Sequence, residues 1–180
     1  MRRLSTTTSL SPVACMTVIN TSPAIHLHAV LPGGLALLPR LVGEVIVPFE
    51  VGQELAAGTG WDETWNRMQC VPGITLRRAP VPLHPLLRAQ LDAGEAAVIQ
   101  TALDEGIATV IRDERKARRI ALAMGLAVTG TLGILVQAKL AGHLPSVRDA
   151  IQTLKQRGIW LDEALLGRVL LLAGEASGGE

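Results

Sequence analysis

A chain of 180 residues, 48% of them hydrophobic, is long enough for one domain with a substantial core. The net charge of +1 excludes a globally basic nucleic-acid binder, so any basic footprint must be local. Aromatic residues make up only 2% of the chain, so the core is aliphatic and rows of stacking aromatics are excluded as a means of base recognition.

In chain order, the apolar, β-branched stretch Met16–Ile19 reads as a buried strand that stops at Asn20-Thr21-Ser22. Ser22 is placed to N-cap a helix over 23–30 with Pro23 in its first turn, ended by Pro32-Gly33-Gly34. A short apolar helix over 35–41 is expected to break at Pro39. Glu44–Val47 is a second strand, and Pro48 opens a helix to Leu55. Residues 61–68 have helical character. Pro72, Pro80, Pro82 and Pro85 make residues 71–85 mostly loop, with room for a strand at Ile74–Leu76. Asp92 is placed to cap a helix to Glu105, with Ala96, Ile99 and Leu103 on one face and Gly106 as its stop. Thr109–Ile111 is a strand, and Asp113 is expected to cap a helix to Met124. Ala127–Thr129 is a strand, followed by a helix from Gly130-Thr131-Leu132-Gly133 to Leu140. Ser146 and Asp162 are N-cap residues for two final helices, over 147–157 and 163–172. Short strands uninterrupted by charges, alternating with helices, predict an α/β fold with a parallel sheet covered on both faces.

Cys15 and Cys70 form no CxxC pair or His/Cys cluster, so neither a disulfide framework nor a structural zinc site is expected. A reducing cytoplasm is the expected setting. No run of about 18 apolar residues marks a membrane span. Arg2 and Arg3 are like the start of a signal peptide, but the Ser/Thr-rich stretch after them has no clear apolar block. Residues 1–15 are expected to be a flexible extension, with translation starting at Met16. An intact mass beginning at Met1 would refute that start. Residues 16–174 form the expected domain, and 175–180 a frayed tail.

Ligands bind at the carboxyl ends of parallel strands. Asn20, Glu95 and Asp113 stand at such ends or at helix starts, and they are expected to meet around a divalent metal. Thr131 can add a hydroxyl or hold a metal-bound water, and Thr21 and Ser22 can do the same near Asn20. Such a metal would orient a water and steady the charge on a phosphodiester. Each residue also has a plainer reading. Glu95 and Asp113 suit helix starts through the macrodipole, Asn20 suits a turn, and Thr131 suits an N-cap. Arg112, Arg115, Lys116, Arg118 and Arg119 read either as a phosphate-binding wall or as a solvated helix face. His26 and His28, two apart on a helix, do not share a face. His84 and His143 read as surface residues, and Trp61 and Trp65 as packing anchors. The leucines from Leu161 to Leu172 read as a surface that packs on the domain or forms a homodimer.

These motifs together resemble the PIN-domain proteins, specifically short prokaryotic PIN-like proteins akin to the toxins of type II toxin–antitoxin pairs. The matching text is Val18-Ile19-Asn20-Thr21-Ser22-Pro23, Gly43-Glu44-Val45-Ile46-Val47-Pro48 and Asp92-Ala93-Gly94-Glu95-Ala96-Ala97-Val98-Ile99. It continues through Asp113-Glu114-Arg115-Lys116-Ala117-Arg118 and Thr129-Gly130-Thr131-Leu132-Gly133, so that it covers roughly residues 17–174. The resemblance implies a three-layer α/β/α sandwich with a short parallel sheet. It also implies RNA cleavage with Mg²⁺ or Mn²⁺ held by three or four acidic residues, and an antitoxin partner. Carried over, those positions fall on Asn20, Glu95, Asp113 and, near the last, Thr131. Asn20 departs from the Asp of nuclease-competent members and removes one negative charge, so weakened metal binding and weakened cleavage are expected. The alternatives are an inactive PIN-like module that binds RNA or protein, and a structural homodimer module.

Overall fold

The computed structural model describes residues 15–58 and 62–175. Five strands form one all-parallel sheet: β1 (Met16–Ile19), β2 (Glu44–Val47), β3 (Ile74–Leu76), β4 (Thr109–Ile111) and β5 (Ala127–Thr129), in the order β3-β2-β1-β4-β5. All five strands were legible as apolar runs of three or four residues. Val18, Ile19, Val45, Ile46, Val47, Val110 and Ile111 are fully buried, as strands flanked by helices on both faces require.

The strand order decides where a site can form. The chain moves outward from β1 to β2 and β3, then crosses back to place β4 on the other side of β1. Connections therefore diverge between β1 and β4, and a crevice opens at their carboxyl ends. Ile19 pairs with Ile111, and the Asn20 N–H continues the ladder by donating to the Ile111 carbonyl at 3.0 Å. Asn20 and Arg112-Asp113 thus flank the crevice.

Ten helices are present among the described residues, together with a 3₁₀ turn at Gly34–Leu37. Those bearing on the site are α1 (Thr21–Val30), α3 (Phe49–Ala57), α6 (Ala93–Asp104), α7 (Arg115–Ala123), α8 (Thr131–Leu140) and α10 (Glu163–Leu172). The remaining four are α2 (Leu38–Val42), α4 (Asp62–Met68), α5 (Pro85–Gln90) and α9 (Val147–Gln156). Their inward faces carry Ala24, Leu27, Val51, Leu55, Val98, Ile99, Ile134, Leu135 and Leu154, all fully buried. No single helix among the described residues is long and apolar enough to cross a membrane.

Several local expectations are corrected. Ser22 is not the N-cap of α1: the helix begins two residues earlier than expected, at Thr21, and Asn20 takes the cap position without a side-chain cap bond. Asp113 does not cap α7. Glu114 does, accepting from the Lys116 N–H at 3.1 Å, and Asp113 is used elsewhere. Thr131 is the first residue of α8, after Gly130 at the cap. Pro39 sits in the first turn of α2, where a missing N–H costs nothing, so it starts a helix instead of breaking one. Pro85 likewise starts α5 inside the expected loop, and His84 Nδ1 accepts from the Leu86 N–H at 3.3 Å. Glu175 does not fray. Its carboxylate accepts from the backbone N–H groups of Val147 (2.8 Å) and Arg148 (2.9 Å) at the start of α9. On α10, Leu166 and Val169 pack inward while Leu171 and Leu172 stay exposed. Trp65 packs against the core at half-burial; residues 1–14, Trp61 and residues 176–180 lie outside the described residues.

Candidate functional site

Asp113 is the most constrained side chain in the crevice. Its Oδ1 accepts from the Thr131 backbone N–H at 2.7 Å, and its Oδ2 accepts from the Thr131 hydroxyl at 2.6 Å. His26 Nδ1 also reaches Oδ2, at 3.1 Å. The cluster depends on a close backbone approach. A Cβ at Gly130 would lie 2.7 Å from Asp113 Oδ1 and 3.1 Å from the Arg112 carbonyl oxygen. Arg118 closes the same corner, donating from Nη1 to that carbonyl at 2.9 Å. Burial works to raise the Asp113 carboxyl, but the hydrogen bonds from His26 and from the Thr131 hydroxyl and N–H outweigh it and hold it below the ordinary value.

Glu95 sits apart from this group, in the first turn of α6. Asp92 caps that helix and accepts the Glu95 N–H at 2.7 Å. The Glu95 carboxylate lies 3.5 Å from Arg112 Nη2, with side-chain exposures of 12% and 0%. Burial and the Asp92 charge hold Glu95 above the ordinary carboxylate value, against the opposing pull of Arg112. Burial lowers Arg112 to about 10. None of the three Arg112 guanidinium nitrogens has a hydrogen-bond partner, nor has the buried Asn20 Oδ1.

A further acid was not anticipated. Glu54, on α3, accepts from the Thr21 hydroxyl. Its Oε1 would lie 2.3 Å from a Cβ at Gly94, so a glycine at this point lets the carboxylate approach the start of α6. The signal was present, because α3 follows β2 as α1 follows β1, but Glu54 lies well inside a helix where an acid looks like a solvated residue.

The crevice widens into a cleft of about 790 Å³ lined by Ser22, His26, Asp113, Thr131, Trp160 and Arg168, among others. Ser22 and His26, four residues apart, share the face of α1 turned to the cleft. That spacing was readable, whereas pairing His26 with His28 was not informative. Trp160, in the loop before α10, is 81% exposed. Arg115 and Arg118 line the cleft, and both continue into a shallower patch with Arg119. Arg115 is tied to Asp162, and Lys116 donates through Nζ to the Gln90 carbonyl. The expectation that Arg112 joins an exposed phosphate wall is corrected: its place after a central strand puts it fully inside.

The expected metal set is therefore distributed. Asp113 and Thr131 are bonded to each other, Glu95 faces Arg112, Thr21 binds Glu54, and Asn20 Oδ1 is left without a partner. Among the described residues, no group of three or more His, Cys, Asp or Glu side chains is arranged to hold a metal ion. Glu95 is opposed by a resident cation and Asn20 is neutral, which leaves Asp113 as the one carboxylate of the set without an opposing guanidinium. As arranged, these residues do not fit a divalent ion.

No curated protein matches the chain. A family model for the PIN domain matches residues 16–175. That stretch contains the whole parallel sheet and every helix that carries the cluster, and the chain belongs to the PIN-domain family.

Proposed function

We propose that this member of a nuclease-type family binds single-stranded RNA across the cleft without efficient metal-dependent cleavage. The observation that carries the reading is Trp160, a solvent-exposed indole at the edge of a cleft that also holds Arg115, Arg118 and Arg168. One exposed aromatic beside several guanidinium groups suits a stacked base with flanking phosphates, and it needs no row of aromatics. Arg168 and Arg119 supply charge to the backbone, and Ser22 and His26 supply polar contacts on the opposite wall. Asp113 acts as a structural acid that fixes His26 and the start of α8. A labelled single-stranded RNA titrated with the wild-type and Trp160→Ala proteins tests the reading. Weaker binding by the variant, steepening with salt for both, supports it. Equal binding by the two proteins, or preference for single-stranded DNA, counts against it.

A second reading is a Mg²⁺- or Mn²⁺-dependent ribonuclease of toxin type. The unpartnered Asn20 Oδ1 favours it, as a hard oxygen donor with nothing to bind. Cleavage of RNA that requires Mn²⁺ and is lost in Asp113→Asn would support it over the first.

A further inference from the structure

We infer that Arg112 is the built-in cation of this PIN domain, occupying with its guanidinium the electrostatic role that a divalent ion would otherwise have beside Glu95. The inference rests on reading the strand-end cluster as the functional site. Arg112 directly follows β4, next to the topological switch point. Its backbone is held on both sides: its N–H donates to the Thr129 carbonyl at 2.9 Å, and its own carbonyl accepts from Arg118 at 2.9 Å. The side chain is consequently committed to the interior, where it is fully buried. A guanidinium there needs negative charge nearby. Glu95 supplies it at 3.5 Å, and Asp92 and Glu114 add to it.

Two features make this a replacement and not an ordinary buried pair. First, Asn20 stands opposite on the neighbouring strand, where the ladder places it beside Arg112. A carboxylate there would add a further negative charge beside Glu95, Asp92 and Glu114, whereas the amide keeps the position facing Arg112 neutral. Second, Arg112 is fully buried at 3.5 Å from Glu95, so its positive charge is fixed in the interior and poorly screened by solvent. A dication entering beside Glu95 would meet the fixed positive charge of Arg112, and like charges at such range repel strongly in a desolvated site.

Mn²⁺ uptake tests the inference, read by the loss of the free-ion paramagnetic signal and by the Mn²⁺-dependent shift of the unfolding midpoint. Four proteins are compared: wild type, Arg112→Lys, Arg112→Met and Asn20→Asp. The wild type and Arg112→Lys are expected to take up no Mn²⁺ below about 1 mM, because both keep the cation. Arg112→Met is expected to bind Mn²⁺ at least about tenfold more tightly, with a rise in its unfolding midpoint. Asn20→Asp, which adds one carboxylate but keeps Arg112, is expected to gain less than about tenfold. Micromolar Mn²⁺ binding by the wild type would overturn the inference. So would a gain of about tenfold or more in Asn20→Asp, which remains decisive if Arg112→Met does not fold. A folded Arg112→Met with unchanged affinity would overturn it as well. RNA binding, measured separately in EDTA, reports on the proposed function and is independent of these outcomes.

Discussion

Thr131 holds Asp113 twice, its N–H donating to one carboxylate oxygen at 2.7 Å and its hydroxyl to the other at 2.6 Å. Asp113 thereby ties the end of β4 to the start of α8. Replacing Thr131 by the isosteric Val removes only the hydroxyl bond. A bond to a charged partner contributes about 1.5–3 kcal/mol, so the variant should lose about that much stability in urea unfolding.

The pH dependence follows from the same contacts. Asp113 has a folded-state value below its unfolded one, so its contribution is complete above the ordinary carboxylate range. That contribution is lost as pH falls through the depressed value. Glu95 has the opposite sign: its folded value is raised, so the ionised form costs stability and acidification relieves that cost. Unfolding midpoints measured downward from about pH 5 should fall for the wild type, and fall less steeply in Asp113→Asn. Glu95→Gln should leave the Asp113-driven decline in place.

Gly130→Ala places a methyl group 2.7 Å from Asp113 Oδ1 and 3.1 Å from the Arg112 carbonyl oxygen, which is backbone and yields little. Overpacking of this kind costs about 1–3 kcal/mol. Thermal unfolding should show the loss, and the acid sensitivity attributed to Asp113 should weaken with it.

The fold was legible because each strand is an apolar run bounded by turn residues, and because glycines such as Gly106 and Gly158 stop the helices with positive φ. Helix caps with a side-chain oxygen at the right spacing were also legible at Asp92, Ser146 and Asp162. Reading failed where neighbouring residues compete for one local role. Asp113 and Glu114 both suit a cap, and only the approach of Thr131 from the start of α8 decides between them. Arg112 looked like part of a basic surface run, but strand alternation and burial on both faces turned it inward. Glu54 and Trp160 belong to the site through tertiary placement alone, which no local pattern encodes.

Trp160→Ala should leave stability unchanged, because the side chain is 81% exposed and packs on little. Stacking of one base contributes about 1–3 kcal/mol, so RNA affinity measured by fluorescence anisotropy should fall by about tenfold.

Arg168→Gln and Arg119→Gln should each reduce the dependence of log affinity on log salt by about 0.7, the release expected per phosphate on a single strand. Lys116→Gln should not, since its ammonium is committed to the Gln90 carbonyl. Titrations at a series of salt concentrations distinguish the three.

The most direct test of the account is to incubate labelled single-stranded RNA with the wild-type protein in parallel, in Mn²⁺ and in EDTA, and to read binding and strand integrity together. Equal binding in both and intact RNA throughout are expected. Cleavage that appears only with Mn²⁺ and disappears in Asp113→Asn would contradict that expectation.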